Sequence, residues 1–214
     1  INHQPPAVSL RHCLDQSKGH IKVKNLPKDY PVQLNPMELE FCKIQAENRQ
    51  SNKEKDGVPT KNTSNRSETE IHYQGCIGER VVAKALGLYP DLSIEHKSAA
   101  NGTDDGEFVL EGGFRLDVKF TKYERGKLLV SPNKKDAPIE IYCLVTSSDI
   151  EDEYYIRGFV SRQTLFVELN LWPQQPSGRM AYQLHQSQLI TLDEAIESSL
   201  TPLGKSNPEV PKAS

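Results

Sequence analysis

The sequence predicts a mixed α/β domain, with a central mixed β-sheet flanked by helices and an N-terminal helical extension. Three observations predict it. Two stretches with helical apolar spacing lie in the first 86 residues. Six short apolar or alternating segments of strand length follow between 92 and 160. Between the helical stretches, residues 51–69 hold a single large apolar residue, Val58, and cannot bury surface. The chain is therefore expected to divide into an arm at 1–70 (one helix and a polar linker), an α/β core at 71–200, and a tail at 201–214 rich in Pro, Ser, Lys and Asn that is expected to fray.

Taken in order, residues 1–34 read as irregular, with prolines at 5, 6, 27 and 31 and a short strand at His20–Val23. Asn35-Pro36-Met37-Glu38 is a helix start. Asn35 is the N-cap, Pro36 has its φ preset for the first turn, and Glu38 completes a capping box. Met37, Phe41 and Ile44 then recur at helical spacing, and the helix is expected to end near Gln50. Arg49 lies near that end and is a candidate to reach the site, although nothing in the sequence ties it there. A second helix spans Ile71–Leu86, with Ile77, Val81, Val82 and Leu86 as its buried stripe and Gly87 as its stop. Strands are expected at Leu92–His96, Asp105–Leu110, Phe114–Thr121, Leu128–Ser131, Ile139–Thr146 and Tyr154–Val160. A short helix at Ser161–Glu168, a last strand at Met180–Ile190 and a terminal helix at Leu192–Ser198 complete the list, with Trp172-Pro173 as packing near a loop.

Composition excludes several classes. The 214 residues are 36% hydrophobic and 26% charged, with a net charge of −3, so a wholly basic DNA-coating protein is excluded. No apolar run is long enough to span a bilayer, and residues 1–10 lack a basic-then-apolar leader. The four cysteines (13, 42, 76 and 143) form no CxxC pair, which argues against structural zinc and for free thiols in a reducing, cytoplasmic compartment. The six histidines show no HExxH spacing, and neither a P-loop nor G-x-S-x-G occurs.

The informative stretch runs from Thr103 to Thr121. In the strand at 114–121, Leu116, Val118 and Phe120 take one face and Arg115, Asp117, Lys119 and Thr121 the other. With Glu111-Gly112-Gly113 as a three-residue loop, Leu110 pairs with Phe114 and Phe108 with Leu116, so the apolar faces match. The same register sets Glu107 opposite Asp117 and Asp105 opposite Lys119. Two carboxylates about 4 Å apart repel by roughly 4 kcal/mol at an effective dielectric of about 20. A divalent cation between them removes that penalty, and an all-oxygen set suits Mg²⁺, with Mn²⁺ as a substitute. Lys119 beside the cation would position water and stabilise transition-state charge. A bare exposed strand face with an incidental Asp–Lys pair is the alternative.

An acid, about ten residues, then Asp117-Val118-Lys119 on a strand resembles the PD-(D/E)XK nuclease superfamily. Gly78-Glu79 on the preceding helix strengthens the likeness, which covers roughly residues 71–168. The resemblance implies a restriction-endonuclease-like core, with Asp117 and the Val118 carbonyl as metal ligands and Lys119 positioning water. It implies that Glu79 binds a second metal or the attacking water. For the remaining acid the family pattern favours Asp105 and the register favours Glu107. Both stay open.

From Lys119 to Lys135 the chain carries a net +5, from Lys119, Lys122, Arg125, Lys127, Lys134 and Lys135 against Glu124, with Tyr123 interleaved. These residues are expected to line the mouth of the site and contact phosphates. The expected activity is magnesium-dependent hydrolysis of nucleic acid, foremost as a DNA endonuclease. Cutting both strands would call for a homodimer or two sequential nicks. The rival readings are a binding module without catalysis and a hydrolase of RNA or nucleotides.

Overall fold

A computed structural model describes residues 25–55, 57, 66–88, 106–174 and 177–201. The expected strands at 20–23 and 92–96, and Asp105, lie outside the described residues.

The first described strand, β1 (Tyr30–Gln33), falls where the sequence reads as irregular. It leads into α1 (Pro36–Lys55). The capping box at its start forms as expected: Asn35 Oδ1 accepts from the Glu38 N–H at 2.9 Å, and Glu38 Oε2 accepts from the Asn35 N–H at 2.8 Å. The helix runs one turn beyond Gln50. Its expected apolar stripe faces outward, with Met37 82% exposed, and the buried residues are Cys42, Gln45 and Ala46. Small side chains there let α1 lie along α2 (Glu68–Leu86). The second helix is capped by Ser67 and stopped by Gly87 at φ 69°. Its stripe of Ile77, Val81, Val82 and Leu86 is buried, as its spacing predicts.

The remaining elements are β2 (Phe108–Val109), β3 (Arg115–Thr121), β4 (Leu128–Val130), β5 (Ile141–Ser147), β6 (Glu153–Ser161), α3 (Arg162–Leu165), β7 (Leu171–Pro173), β8 (Met180–Leu184) and α4 (Leu192–Leu200). Thus Trp172-Pro173 belongs to a strand. The expected strand at 180–190 ends at Leu184, where His185 caps a short 3₁₀ turn.

The main sheet has the order β1-β6-β5-β3-β2. The strands β3 and β5 run parallel, and the other neighbours are antiparallel. A small second sheet has the order β4-β8-β7. The protein is therefore of mixed α/β class, as its sequence pattern predicts. No helix among the described residues is long and apolar enough to cross a membrane.

Two apolar cores sandwich the main sheet. On β5, Ile141, Cys143 and Val145 join the core beneath α2 and α4, while Tyr142 and Leu144 join the core beneath the small sheet. A strand covered on both faces carries a continuous apolar run, and β5 is buried from Ile141 to Thr146. The same double cover reaches β3 and decides the surroundings of Asp117.

Candidate active site

The hairpin register sets the site. Phe108 pairs with Leu116, and the Leu110 N–H donates to the Phe114 carbonyl at 2.8 Å. Glu111–Gly113 forms the expected three-residue connection as a 3₁₀ turn. Beyond Phe108 the ladder stops. The Glu107 N–H donates to the Leu116 carbonyl at 2.9 Å, and the Glu107 carboxylate accepts from the Val118 N–H at 2.8 Å. Glu107 thus spans Asp117 along the edge of β3 instead of facing it across a regular pair. Gly106 makes this possible. Its φ is +79°, and an added Cβ would meet the Leu116 carbonyl oxygen at 2.9 Å.

Asp117 is fully buried, at 0% exposure. Its face of β3 is not open to solvent, because it sits beside Tyr142 under the small sheet. Among the described residues no hydrogen-bond donor reaches Asp117 Oδ1. Its counter-ion is the Lys119 ammonium, in ion-pair contact with Oδ2. Buried carboxylates are ordinarily satisfied, so an unsatisfied one marks a place built for something else.

The electrostatics agree with that geometry. Burial first, and the Asp117 charge second, push the Glu107 carboxyl up to about 8. Burial also raises Asp117, against the pull of Lys119. Burial disfavours the Lys119 ammonium, but Asp117 and Glu107 outweigh it and hold the lysine above its ordinary value. A lysine held protonated stabilises negative charge and does not abstract protons.

Glu79 approaches from α2. Gly78 brings the helix onto β3, where an added Cβ would lie 3.2 Å from Phe120 Cβ and 3.3 Å from Val118 Cγ1. Glu79 then acts electrostatically on Glu107, Asp117 and Lys119. Both its oxygens are engaged by α1: Arg49 Nη1 donates to Oε1 and Nη2 to Oε2, each at 2.9 Å. Sequence reasoning left Arg49 unassigned, because no local pattern reports which helix faces meet 30 residues apart.

Tyr142 was not among the expected site residues. Its hydroxyl is buried and has no hydrogen-bond partner, and its pKa is raised by burial and by Asp117. Its signal was readable only after β3 and β5 were paired in register, which sets Tyr142 beside Asp117.

The structure does not gather the basic stretch onto one surface. Lys122, Tyr123, Arg125 and Lys127 are exposed past the C-terminal end of β3, with Lys122 Nζ 5.8 Å from the Tyr123 ring centre. Lys134 and Lys135 lie before the N-terminal end of β5, where Lys135 offers its carbonyl to Arg162. Because β3 and β5 are parallel, these groups sit at opposite ends of the strand pair. Lys134 is half-buried, and that burial lowers its pKa.

Among the described residues, no three His, Cys, Asp or Glu side chains form a group that could hold a metal ion. The available oxygen donors are fewer. Glu107 and Asp117 are the two carboxylates, and Val118 turns its carbonyl to the same strand edge as the N–H that Glu107 accepts. Two carboxylates with water and substrate oxygens suffice for Mg²⁺, and the orphaned Asp117 oxygens fit such an ion.

The molecule is thus an α/β protein whose main sheet carries a buried carboxylate, Asp117, paired with a partly exposed lysine at the open end of a hairpin. Residues 33–168 match the model of a family of unknown function, DUF5843, and the chain belongs to that family. No curated protein and no solved structure matches it. The matched span contains Arg49, Glu79, Glu107, Asp117, Lys119 and Tyr142.

Proposed function

We propose that the protein is a divalent-metal-dependent nuclease of the PD-(D/E)XK type, acting on DNA as an endonuclease. One observation carries the reading: Asp117 is wholly buried, with the Lys119 ammonium against Oδ2 and no hydrogen-bond donor at Oδ1 among the described residues, beside a Glu107 whose carboxyl the same burial raises.

In this reading Glu107, Asp117 and the Val118 carbonyl hold a Mg²⁺ or Mn²⁺ ion. The bound ion supplies Lewis-acid charge at the phosphate and makes water a stronger nucleophile. Glu107 would hold the ion as the carboxylate, its proton released to solvent, although burial raises its pKa in the metal-free protein. Lys119, relieved of its sole claim on Asp117, holds its ammonium against the negative charge that grows on the phosphate oxygens. The exposed Lys122, Arg125 and Lys127, with Tyr123, contact the DNA backbone beyond the cleavage point. One site per chain cuts one strand, so a double-strand break takes two copies or two successive nicks.

The shortage of convergent ligands among the described residues favours one alternative, a module on the same scaffold that binds nucleic acid without cutting it. Plasmid cleavage separates the two. Supercoiled DNA with Mg²⁺ or Mn²⁺ is expected to be nicked or linearised by the wild type. Cleavage is expected to vanish in EDTA and in Asp117→Asn and Lys119→Ala. Cutting that survives both substitutions refutes the site. A folded wild type that binds duplex but never cuts it favours the binding module.

A further inference from the structure

The small sheet has a second face. Leu128, Val130, Tyr182 and Leu184 turn into the core, and alternation along the strands sends Leu129, Gln183 and Trp172 the other way. Leu129 pairs with Gln183, and Trp172 with Ala181, so Gln183 on the central strand separates the two large apolar side chains. Trp172 is 59% exposed and Leu129 41%. The tryptophan is held out by hydrogen bonds. Its Nε1 donates to the Leu169 carbonyl at 2.8 Å, and Gln183 Nε2 donates to the Trp172 carbonyl at 3.0 Å. One edge of the indole is tied to the protein while much of the ring meets solvent. A ring fixed in this way loses little conformational freedom when something stacks on it.

The surroundings are basic. Arg179 lies one pair beyond Met180, where its carbonyl accepts from the Gln174 N–H at 2.7 Å, and alternation puts it on the Trp172 face. Lys127 immediately precedes β4, and both basic residues are exposed. Residues 171–190 contain no Asp or Glu. Glu124, the acid of the β3–β4 connection, faces Arg157 Nη2 at 3.6 Å. The face thus offers an aromatic plane flanked by cations, the complement of a chain of phosphates that carries bases. A second copy would set like charges against each other, and a protein partner would need a continuous apolar centre, which Gln183 interrupts. A duplex keeps its base faces stacked inside, so the ring is useful to an unpaired strand.

We infer that the outer face of the small sheet binds single-stranded nucleic acid, with a base stacked on Trp172 and the flanking phosphates on Arg179 and Lys127. This goes beyond the nuclease reading and holds whether or not Asp117 serves to cut a strand.

Trp172 is the sole tryptophan of the chain, so its fluorescence reports the contact directly. In EDTA, oligo(dT) and oligo(rU) of about twelve nucleotides are expected to quench it, and the tighter binder names the sugar. A duplex of the same length leaves it unquenched. A strand of the same length with abasic positions keeps its phosphates but is expected to bind about tenfold weaker, without quenching. Anisotropy of labelled oligo(dT) then compares variants whose Tm shows them folded. Trp172→Ala is expected to weaken binding about tenfold, and Trp172→Phe to recover most of the loss. Arg179→Ala flattens the slope of log affinity against log salt by about 0.7. Lys43→Ala, at an exposed position of α1, changes neither quantity.

Single strands that bind without quenching Trp172 overturn the inference. So does an abasic strand that binds as tightly as oligo(dT), or a duplex that quenches equally. A wild type that binds neither single strand also overturns it, and if that protein self-associates until Trp172→Ala is introduced, the face belongs to a second copy. Plasmid cutting without quenching sinks this inference alone, and quenching without cutting sinks the nuclease reading alone.

Discussion

Two buried charged clusters lie on the same sheet, and they are built to opposite rules. Around Arg157 every edge of the guanidinium is answered. Its Nε donates to Thr146 Oγ1 at 2.8 Å, Nη1 donates to Asp29 at 3.1 Å, Nη2 faces Glu124 at 3.6 Å, and the plane lies 4.4 Å from the Tyr155 ring centre. Around Asp117 the carboxylate is at least as buried, yet only Lys119 answers it, on Oδ2, while Oδ1 and the adjacent Tyr142 hydroxyl have no hydrogen-bond partner among the described residues. A satisfied cluster fastens β1, β5, β6 and the β3–β4 connection together. An unsatisfied one raises the free energy of the empty protein and lowers it again when the right ligand arrives.

The sharpest way to break this comparison is to remove the charge from each cluster and measure stability in EDTA. Arg157→Ala leaves the buried Thr146 hydroxyl without its donor and strips the cover from Tyr155. It is expected to cost about 2–3 kcal/mol in urea unfolding. Asp117→Asn replaces an ion that burial disfavours with a neutral isostere but leaves the Lys119 ammonium without its counter-ion, and because Lys119 keeps access to solvent it is expected to cost less than Arg157→Ala. If Asp117→Asn destabilised as much as Arg157→Ala, both clusters would be structural and the proposed site would lose its main support.

The second test concerns pH. The Glu107 carboxyl is pushed up to about 8 from an ordinary value of 4.5, by burial and then by Asp117. The folded protein therefore keeps a proton that the unfolded chain has released. That contribution is whole below about 4.5 and is lost as pH rises through about 8. Asp117, raised in the same sense, adds to it. In EDTA the Tm is expected to fall across this window by more in the wild type than in Glu107→Gln. Parallel profiles for the two proteins would show that Glu107 does not titrate there.

How much of this was legible beforehand follows the range of the interactions. The 108–116 register came from side-chain alternation and a three-residue turn, both local, and it carried Glu107, Asp117 and Lys119 with it. The caps of α1 and α2 are also local and were readable. What failed was whatever depends on a distant partner. The outward face of α1 holds its large apolar residues, Met37, Phe41 and Ile44, because the contact with α2 uses Cys42 and Ala46 instead. The strand β1 has no strong pattern of its own, with Pro31 inside it, and exists through pairing with β6. The cover over Asp117 comes from β4, β7 and β8, drawn together across more than fifty residues. Only that cover turns a polar strand face into a buried, unsatisfied one.

The smallest expected effect tests how closely the site depends on the seating of α2. Gly75 and Gly78 lie on the same helix. An added methyl at Gly75 meets nothing within 4 Å, while at Gly78 it meets Phe120 at 3.2 Å and Val118 at 3.3 Å. Gly75→Ala is expected to gain up to about 1 kcal/mol from helix propensity alone. Gly78→Ala gains the same propensity but crowds two β3 side chains, at a cost of about 1–3 kcal/mol, so its net change is expected to be zero or a loss. The stability difference between the two variants then measures the contact that brings Glu79 to the site. If α2 shifts to relieve the crowding, the shift carries Glu79 away from β3. DNA affinity is then expected to fall in Gly78→Ala while Gly75→Ala binds as the wild type does. Equal stabilisation by the two alanines would mean that α2 has room to spare over β3, and that the glycine is not what seats Glu79 beside the unsatisfied cluster.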